Sequence, residues 1–500
     1  MYSVSAENSV NTVYIGIDEL CFDKDEIDSK DSCAKLELKD NITAYIEKRE
    51  LIRNTEPLEC DSALIEKVTS NYIIVKTIIS NLCWQDKLVC KLVNSTWSSA
   101  VQALQKEHLC PEDFVVDLCS PAKGGGGKGW IKQSGTFRTE PLVIFTFANT
   151  AGMFFCCKCK VFSPRLCEEP CQKEHCLIDL INRQVNAPKN CMLTATANYL
   201  VYRPLPFTNT YVHSITHYTD TWNNPFLAGV YIPKIPNVGI KIINIRSQDG
   251  LKAEFYDVVE KLSQDNIIKG VVVYVTDKYL LNSIDDIVFL HYLKDVQPNV
   301  PYALGGCLVE DTMSDSKDID NIIDKLNENA DFISENLLSM CLFTVPKNIT
   351  DNEYNFEMYS FVINSSEWKK PFIQQAITEF SNKVPRFEHS IALKLSCVGR
   401  DQKHVIEQDC FRDAFPDTPI AGCYGNGELG INHPTRVKAE PSSPAAKRHK
   451  DHSEPHHGLM YSYSTVFVYI GWGKMTSPKG PLPCFNNKNV QSLKSDDKVI

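Results

Sequence analysis

The 500-residue chain has no basic excess: 52 Lys and Arg stand against 62 Asp and Glu, a formal charge of -10. Nothing in that balance steers it to nucleic acid. No stretch is apolar over the roughly 20 residues that a membrane-spanning helix needs. The longest, Pro141 to Cys157, is interrupted by Asn149-Thr150. The opening Met1-Tyr2-Ser3-Val4-Ser5-Ala6-Glu7 lacks the basic region and apolar core of a secretory signal. No internal repeat is visible. These absences predict an intracellular protein without a membrane partner. Its 20 cysteines are then expected as reduced thiols, buried as small hydrophobes or gathered on metal, rather than paired in disulfides.

What is present is an ordinary globular composition, 43% hydrophobic and 23% charged, long enough for two or three domains. Residues 1–60, rich in Asp, Glu, Lys and Ser, read as a solvated leader without fixed structure. Leu64, Val68, Tyr72, Val75, Ile78 or Ile79, and Leu82 recur at helical spacing. After a short break at Cys83 to Asp86 so do Leu88, Leu92, Val93, Trp97, Val101 and Leu104, which predicts a helical hairpin over 62–109. From about 110 short apolar runs alternate with helical patterns, the signature of an α/β body. Strands are expected at 142–147, 240–245, 270–275, 391–398, 418–424 and 465–470, and helices at 250–264, 318–329, 366–381 and 407–415. The body divides near residue 330, with a polar insertion at 435–458, and the chain after Gly473 reads as a disordered tail.

Residues 422–430, Gly-Cys-Tyr-Gly-Asn-Gly-Glu-Leu-Gly, contain a formal G-x-G-x-x-G in Gly425, Gly427 and Gly430. A dinucleotide site needs a strand before those glycines, a helix N-terminus after them, and an acidic residue about 20 positions on. The strand is expected; the helix is not, because Gly430-Ile431-Asn432-His433-Pro434 has no helical period and Pro434 breaks a first turn. Pro441-Ser442-Ser443-Pro444 stands where the carboxylate should be. Asn426 and Glu428 are instead expected to order a turn by bonding its backbone N–H groups, and Gly427 to adopt positive φ.

Two regions carry a family resemblance. The apolar helix ending in Asn81-Leu82, followed by Lys87-Leu88-Val89-Cys90-Lys91-Leu92-Val93-Asn94-Ser95-Thr96-Trp97, resembles an F-box in its V-x-x-x-W spacing, although it has no Leu-Pro opening and Asn94-Ser95 replace the usual Cys-Arg. Further on, Leu395-Ser396-Cys397-Val398-Gly399-Arg400, Phe411-Arg412-Asp413-Ala414-Phe415-Pro416, residues 422–430 and Tyr461-Ser462-Tyr463-Ser464-Thr465 follow one another as in the C-terminal FIST domain. The resemblance is strongest over 385–474, weaker over 140–310, and absent from both ends. It implies a small helical F-box followed by a two-part α/β FIST domain with mixed sheets, an α+β or α/β fold class. It also implies the substrate receptor of a Skp-cullin-F-box ubiquitin ligase, cytoplasmic and nuclear, doing no covalent chemistry itself. Ile74, Ile78, Leu82, Leu88, Val93 and Trp97 would dock on the Skp adaptor, and through it the cullin scaffold and RING subunit. Arg400, Gly425, Asn426, Gly427 and Glu428 would face the protein substrate or a ligand. A small-ligand sensor without a ligase role is the alternative, since bacterial FIST domains are regarded as sensory modules.

Other constellations are weaker. Cys159, Cys167, Cys171 and Cys176, with Cys156, Cys157 and His175 nearby, have plausible zinc spacing but match no standard knuckle; free thiols are the other reading, and no other cofactor is expected. Gly124 to Gly127 with Lys128 resembles a phosphate loop, yet Gly129 stands where Ser or Thr must bind magnesium, and a flexible loop is favoured. Lys438, in Val437-Lys438-Ala439-Glu440, and Ser443 before Pro444 look like a sumoylation acceptor and a proline-directed phosphosite. Lys447-Arg448-His449-Lys450 is a short basic cluster of the import kind.

Overall fold

A computed structural model describes residues 62–117, 130–133, 137–153, 155–158, 174–185, 187–188, 190–203, 225–247, 250–282, 286–314, 334–348, 355–364, 368–435 and 459–476. The expected leader, the glycine stretch 124–128, the helix at 318–329, Cys159, Cys167, Cys171, Lys438, Ser443 and the chain from 477 onward lie outside the described residues.

The chain is a mixed α/β protein. A helical unit comes first, with α1 (Ser62–Ser70), α2 (Tyr72–Ser80), α3 (Trp84–Cys90) and α4 (Ser95–Glu107). The single helix expected over 64–82 is two, because the Asn71 side chain accepts bonds from the N–H groups of Ile73 and Ile74 at 3.0 and 3.3 Å and so caps a new helix. Asn94 starts α4 in the same way, accepting from Trp97 N at 3.0 Å.

The body follows. Its first segment holds β1 (Glu112–Asp117), β2 (Trp130–Gln133), β3 (Pro141–Ala148), the one-turn helix α5 (Thr150–Met153), β4 (Cys156–Lys158), β5 (Glu174–Cys176), α6 (Leu177–Gln184), β6 (Met192–Thr196), β7 (Tyr199–Arg203) and β8 (Phe226–Pro233). The second holds β9 (Gly239–Ile245), a π turn at Lys252–Tyr256 running into α7 (Asp257–Asp265), β10 (Asn266–Thr276), α8 (Asp277–Asn282), α9 (Tyr292–Val296), β11 (Ala303–Val309), β12 (Asp311–Met313) and β13 (Leu338–Pro346). The third holds β14 (Asn355–Ile363), α10 (Lys370–Lys383), β15 (Arg386–Cys397), α11 (His404–Ala414), β16 (Ile420–Gly425), β17 (Glu428–Gly430), β18 (Met460–Tyr461) and β19 (Thr465–Thr476). The last strand runs three residues past Gly473, where a disordered tail was expected.

The strand pairing repeats one plan three times. The sheets run β12-β6-β3-β8-β1-β2, β18-β17-β11-β10-β13-β9 and β14-β19-β15-β16-β7. In each, a central strand (β3, β10, β15) pairs in parallel with the strand that follows its crossover (β6, β11, β16). Its other neighbour is an antiparallel returning strand (β8, β13, β19). Beyond that lies the strand with which the segment began (β1, β9, β14). The short strand after each crossover leaves its own sheet: β7 pairs with β16, β12 with β6, and β17 with β11. The exchange is cyclic, so each unit completes a neighbour's sheet. No sequence repeat announces this plan, because the strands share a burial pattern rather than residues.

The inner faces of all three sheets meet in one apolar core. Equivalent cross-strand pairs, Phe147 with Ala195, Tyr274 with Cys307 and Leu395 with Cys423, contribute one position from each unit. Phe147 packs edge-to-face on Tyr274 at 6.1 Å, and the Cys307 and Cys423 sulfurs lie 3.4 Å apart. Helices cover the outer faces, each with its own cluster. Strands buried on both sides must be apolar throughout, which is why Pro141–Ala148 and Gly270–Val275 read so plainly as strands.

Candidate functional site

The carboxyl end of β15 carries charge into the interior. Lys394 stands inside the run Ile391-Ala392-Leu393-Lys394-Leu395 and is fully buried. Its Nζ donates to the His404 carbonyl at 3.2 Å and lies 3.5 Å from Glu407 Oε2. The 3-10 turn Val398–Lys403 then turns Arg400 inward. Arg400 Nε donates to Glu407 Oε1 at 3.1 Å, Nη2 reaches the same oxygen, and Nη1 donates to the Tyr463 carbonyl at 2.6 Å. Thr465 Oγ1 donates to Glu407 Oε2 at 2.7 Å and accepts from Ser396 Oγ at 2.6 Å. Glu407 is thus the anion that holds two buried cations, as burial of charge requires. Burial lowers Lys394 to about 8.

Glu428, from β17, joins the network from the other side. Its Oε2 accepts from Ser464 N at 3.1 Å and from Ser464 Oγ at 2.8 Å, while Oε1 is buried without a hydrogen-bond partner. Burial pushes its carboxyl up to about 8, so near pH 7 it is mostly neutral. Cys397 is also raised, by burial first, which keeps the thiol protonated. Arg400 and Glu428 therefore converge on one target, the Tyr463-Ser464 backbone. Tyr463 has φ +55 and an exposed ring, a left-handed conformation that costs a non-glycine residue of order 1–3 kcal/mol unless its surroundings hold it.

The glycine stretch is a strand, a two-residue turn and a strand. A Cβ on Gly425 would stand 2.2 Å from the Leu308 carbonyl oxygen; the residue is glycine because β11 passes against it. Asn426 N donates to Leu308 O at 3.2 Å, and Leu308 N donates to Gly427 O at 2.9 Å. No helix follows Gly430; the chain runs on to His433, which bridges to Ser360. Two expectations are corrected. Gly427 is not at positive φ, Gly473 being the glycine so found among the described residues. Glu428 orders the Ser464 backbone rather than its own turn, because the carboxylate faces inward while Asn426 is exposed. Lys394 and Glu407 were not singled out from sequence, and Ser464 and Thr465 stood in a family-like segment without an assigned role. A lysine in the middle of an apolar strand was the signal available for the first.

In the helical unit the six expected adaptor-binding residues separate. Leu82 belongs to the unit's own core with Val75, Ile79, Cys90, Ala100, Val101 and Leu104, and Trp97 packs against it while its Nε1 donates to Thr69 O at 3.0 Å. Ile78 and Leu88 are half-buried, and Ile74 and Val93 are exposed. Beside them lie Tyr72, Ile73 (74% exposed) and Leu92 (79%). The expected single face thus mixes core with surface, because α2 turns one side onto α4 and leaves the other outward. The unit is fixed to the body: Lys87 Nζ donates to Arg138 O at 3.0 Å, Arg138 Nη1 to Asn81 Oδ1 at 3.1 Å, and Trp472 Nε1 to Leu109 O at 2.8 Å.

Of the candidate zinc ligands, Cys176 is the one described. Its side chain lies in the core under β3, and burial pushes the thiol up to about 12. The β4–β5 hairpin sets Cys156 opposite Cys176 and Cys157 opposite His175, and His175 Nδ1 lies 3.4 Å from Asp179. Among the described residues no group of three or more His, Cys, Asp or Glu could hold a metal ion. Nor is any described helix long and apolar enough to cross a membrane.

No family model and no curated protein matches the chain. Among solved structures it is similar to a cyanuric acid hydrolase from A. caulinodans at 9% identity and a TM-score of 0.27, covering 72% of this chain and 98% of that one. A likeness that slight carries no argument about fold or chemistry.

Proposed function

We propose that the chain is the substrate-recognition subunit of a Skp-cullin-F-box ubiquitin ligase. In this reading residues 62–109 dock on the Skp adaptor, which brings the cullin scaffold and RING subunit. The α/β body holds a protein to be ubiquitinated and degraded, in cytoplasm and nucleus, and the chain performs no covalent step. The observation that supports it is the placement of exposed apolar residues. Of ten exposed large hydrophobics among the described residues, five (Tyr72, Ile73, Ile74, Leu92 and Val93) belong to the small helical unit. A unit of four short helices that leaves such side chains in water fits one that is covered in its working state.

The test is copurification of the full chain with a recombinant Skp adaptor. Ile74→Asp and Val93→Asp sit on the surface, so the variant should keep its helical circular dichroism and lose the adaptor. A folded double variant that retains the adaptor, or a wild-type chain that never binds it, overturns the proposal. In the second case a small molecule copurifying with the chain would favour the ligand-sensor alternative.

A further inference from the structure

We infer that the end of the third unit around Tyr463 is a docking surface for an acidic, apolar peptide segment of a partner protein. This rests on the receptor reading and names where, and by what chemistry, the partner is held. In the first two units no large apolar side chain is exposed among the described residues, whereas the third exposes Met475 (50%) near the end of β19 and, apart from it, Phe372 (62%), Val398, Val405 and Tyr463 (58%). These four occur at one end of the unit. Val398 opens the turn that follows β15, and the Tyr463 ring lies against the next residue, a Cβ on Gly399 standing 2.7 Å from Tyr463 Cε1. Val405 is in the first turn of α11 and Phe372 in the first turn of α10. Those two helix starts are neighbours, because Lys403 Nζ donates to Trp368 O at 3.0 Å.

The tyrosine is held there rather than drifting. Its backbone is left-handed, its carbonyl is gripped by buried Arg400, and the next residue is gripped by buried Glu428. An exposed aromatic ring kept in a strained backbone by buried polar groups has had its ordering cost met before any partner arrives, which is what a binding anchor needs.

The charge around it selects the partner. Lys369 and Lys370 are exposed at the start of α10, and Lys403 stands at the start of α11. Asp401 is the acidic residue of the intervening turn. The Glu407 carboxylate is buried and already pairs Lys394 and Arg400. On a chain of formal charge -10 this rim is locally positive, so carboxylates flanking an apolar anchor complement it.

The experiment selects random 12-residue peptides on display against the full chain, then measures the enriched peptides by fluorescence anisotropy. Enriched peptides should be acidic with aromatic or aliphatic residues. Their binding should weaken as salt rises, and fall about tenfold or more in Val405→Asp and in Tyr463→Ala, with less loss in the charge variant Lys369→Glu/Lys370→Glu. All these positions are exposed, and an unchanged thermal midpoint checks the fold. No enrichment, enrichment without acidic bias, or binding indifferent to these substitutions overturns the inference. So does a wild-type dimer that Val405→Asp dissociates, which would assign the face to a second copy. Adaptor copurification on the same samples separates the two readings. A chain that keeps the adaptor but selects no acidic peptide refutes this surface alone; one that selects acidic peptides without binding the adaptor refutes the ligase reading and leaves the surface standing.

Discussion

The helical unit and the first two units of the α/β body distribute their apolar side chains in opposite ways. Residues 62–107 bury a core of seven (Val75, Ile79, Leu82, Cys90, Ala100, Val101 and Leu104) while leaving five large ones in water. In the first two units of the body, described residues leave none. The third unit leaves five, Phe372, Val398, Val405, Tyr463 and Met475, and buries the ion network of Lys394, Arg400 and Glu407 with the Glu428 carboxyl beside it. The small unit's surface is therefore expendable for folding and its core is not. In the third unit the interior is costly polar machinery whose product is the position of an exposed loop. The helical unit has too few residues to bury all its apolar surface, which is why large side chains stay in water there.

The strongest way to break this comparison is at Glu407. Glu407→Ala leaves Lys394 and Arg400 buried without their anion, and breaking a buried pair on one side costs about 3–5 kcal/mol. Chemical denaturation should register that loss. Replacing all three by apolar residues of similar volume should recover much of it, since the pair is worth little against a well-packed apolar core. A Glu407→Ala protein as stable as wild type would mean that the network carries no charge.

Next comes the contrast inside the helical unit. Leu82→Ala removes a buried side chain and should cost about 2–4 kcal/mol, whereas Ile73→Ser at the surface should stay within about 0.5 kcal/mol. Hydrogen exchange over residues 62–107 reads both without interference from the body. Equal effects would show that the exposed residues are packed in solution.

Dependent on pH is Glu428. Its carboxyl keeps a proton up to about 8 in the folded chain and releases it near 4.5 when unfolded. Within that window the native state binds more protons, so stability falls as pH rises, by up to about 1.4 kcal/mol per pH unit, and is flat above it. Glu428→Gln keeps an acceptor for Ser464 and does not titrate. The variant and wild type should be about equally stable near pH 5 and the variant more stable at pH 8, judged by denaturant midpoints. A difference of the opposite sign would place the carboxylate, not the acid, in the native fold.

The central strands Pro141–Ala148 and Asn266–Thr276 and the returning strand Thr465–Thr476 were legible in the sequence because burial on both faces demands apolar runs. The returning strands Phe226–Pro233 and Leu338–Pro346 were apolar too, but no turn signal set them apart. The threefold exchange of β7, β12 and β17 was invisible, because a three- to five-residue strand has no periodicity and its partner lies in another sheet. At the site Glu428 was found beside its glycines and Arg400 through the family resemblance of Leu395–Arg400. Glu407 was not, since a glutamate on an amphipathic helix reads as solvated until its partners are known.

The smallest expected effect is at Gly427, where it separates two reasons for being glycine. At Gly422 a Cβ would stand 1.8 Å from the Lys394 carbonyl oxygen, and backbone cannot yield without parting β15 from β16. At Gly427 the nearest atoms are Leu308 Cδ1 at 2.9 Å and Met460 Cε at 3.2 Å, both far ends of flexible side chains, and φ is not positive. Alanine there meets atoms that can swing aside. It also lowers the entropy of the unfolded chain, a gain of about 0.4–1 kcal/mol where the backbone is compatible. Gly427→Ala should therefore lie within about 1 kcal/mol of wild type, while Gly422→Ala should unfold the third unit or fail to accumulate as soluble protein. Comparable losses at both positions would mean that the Leu308 contact is as rigid as a strand, and that the turn is held as tightly as the sheet it leaves.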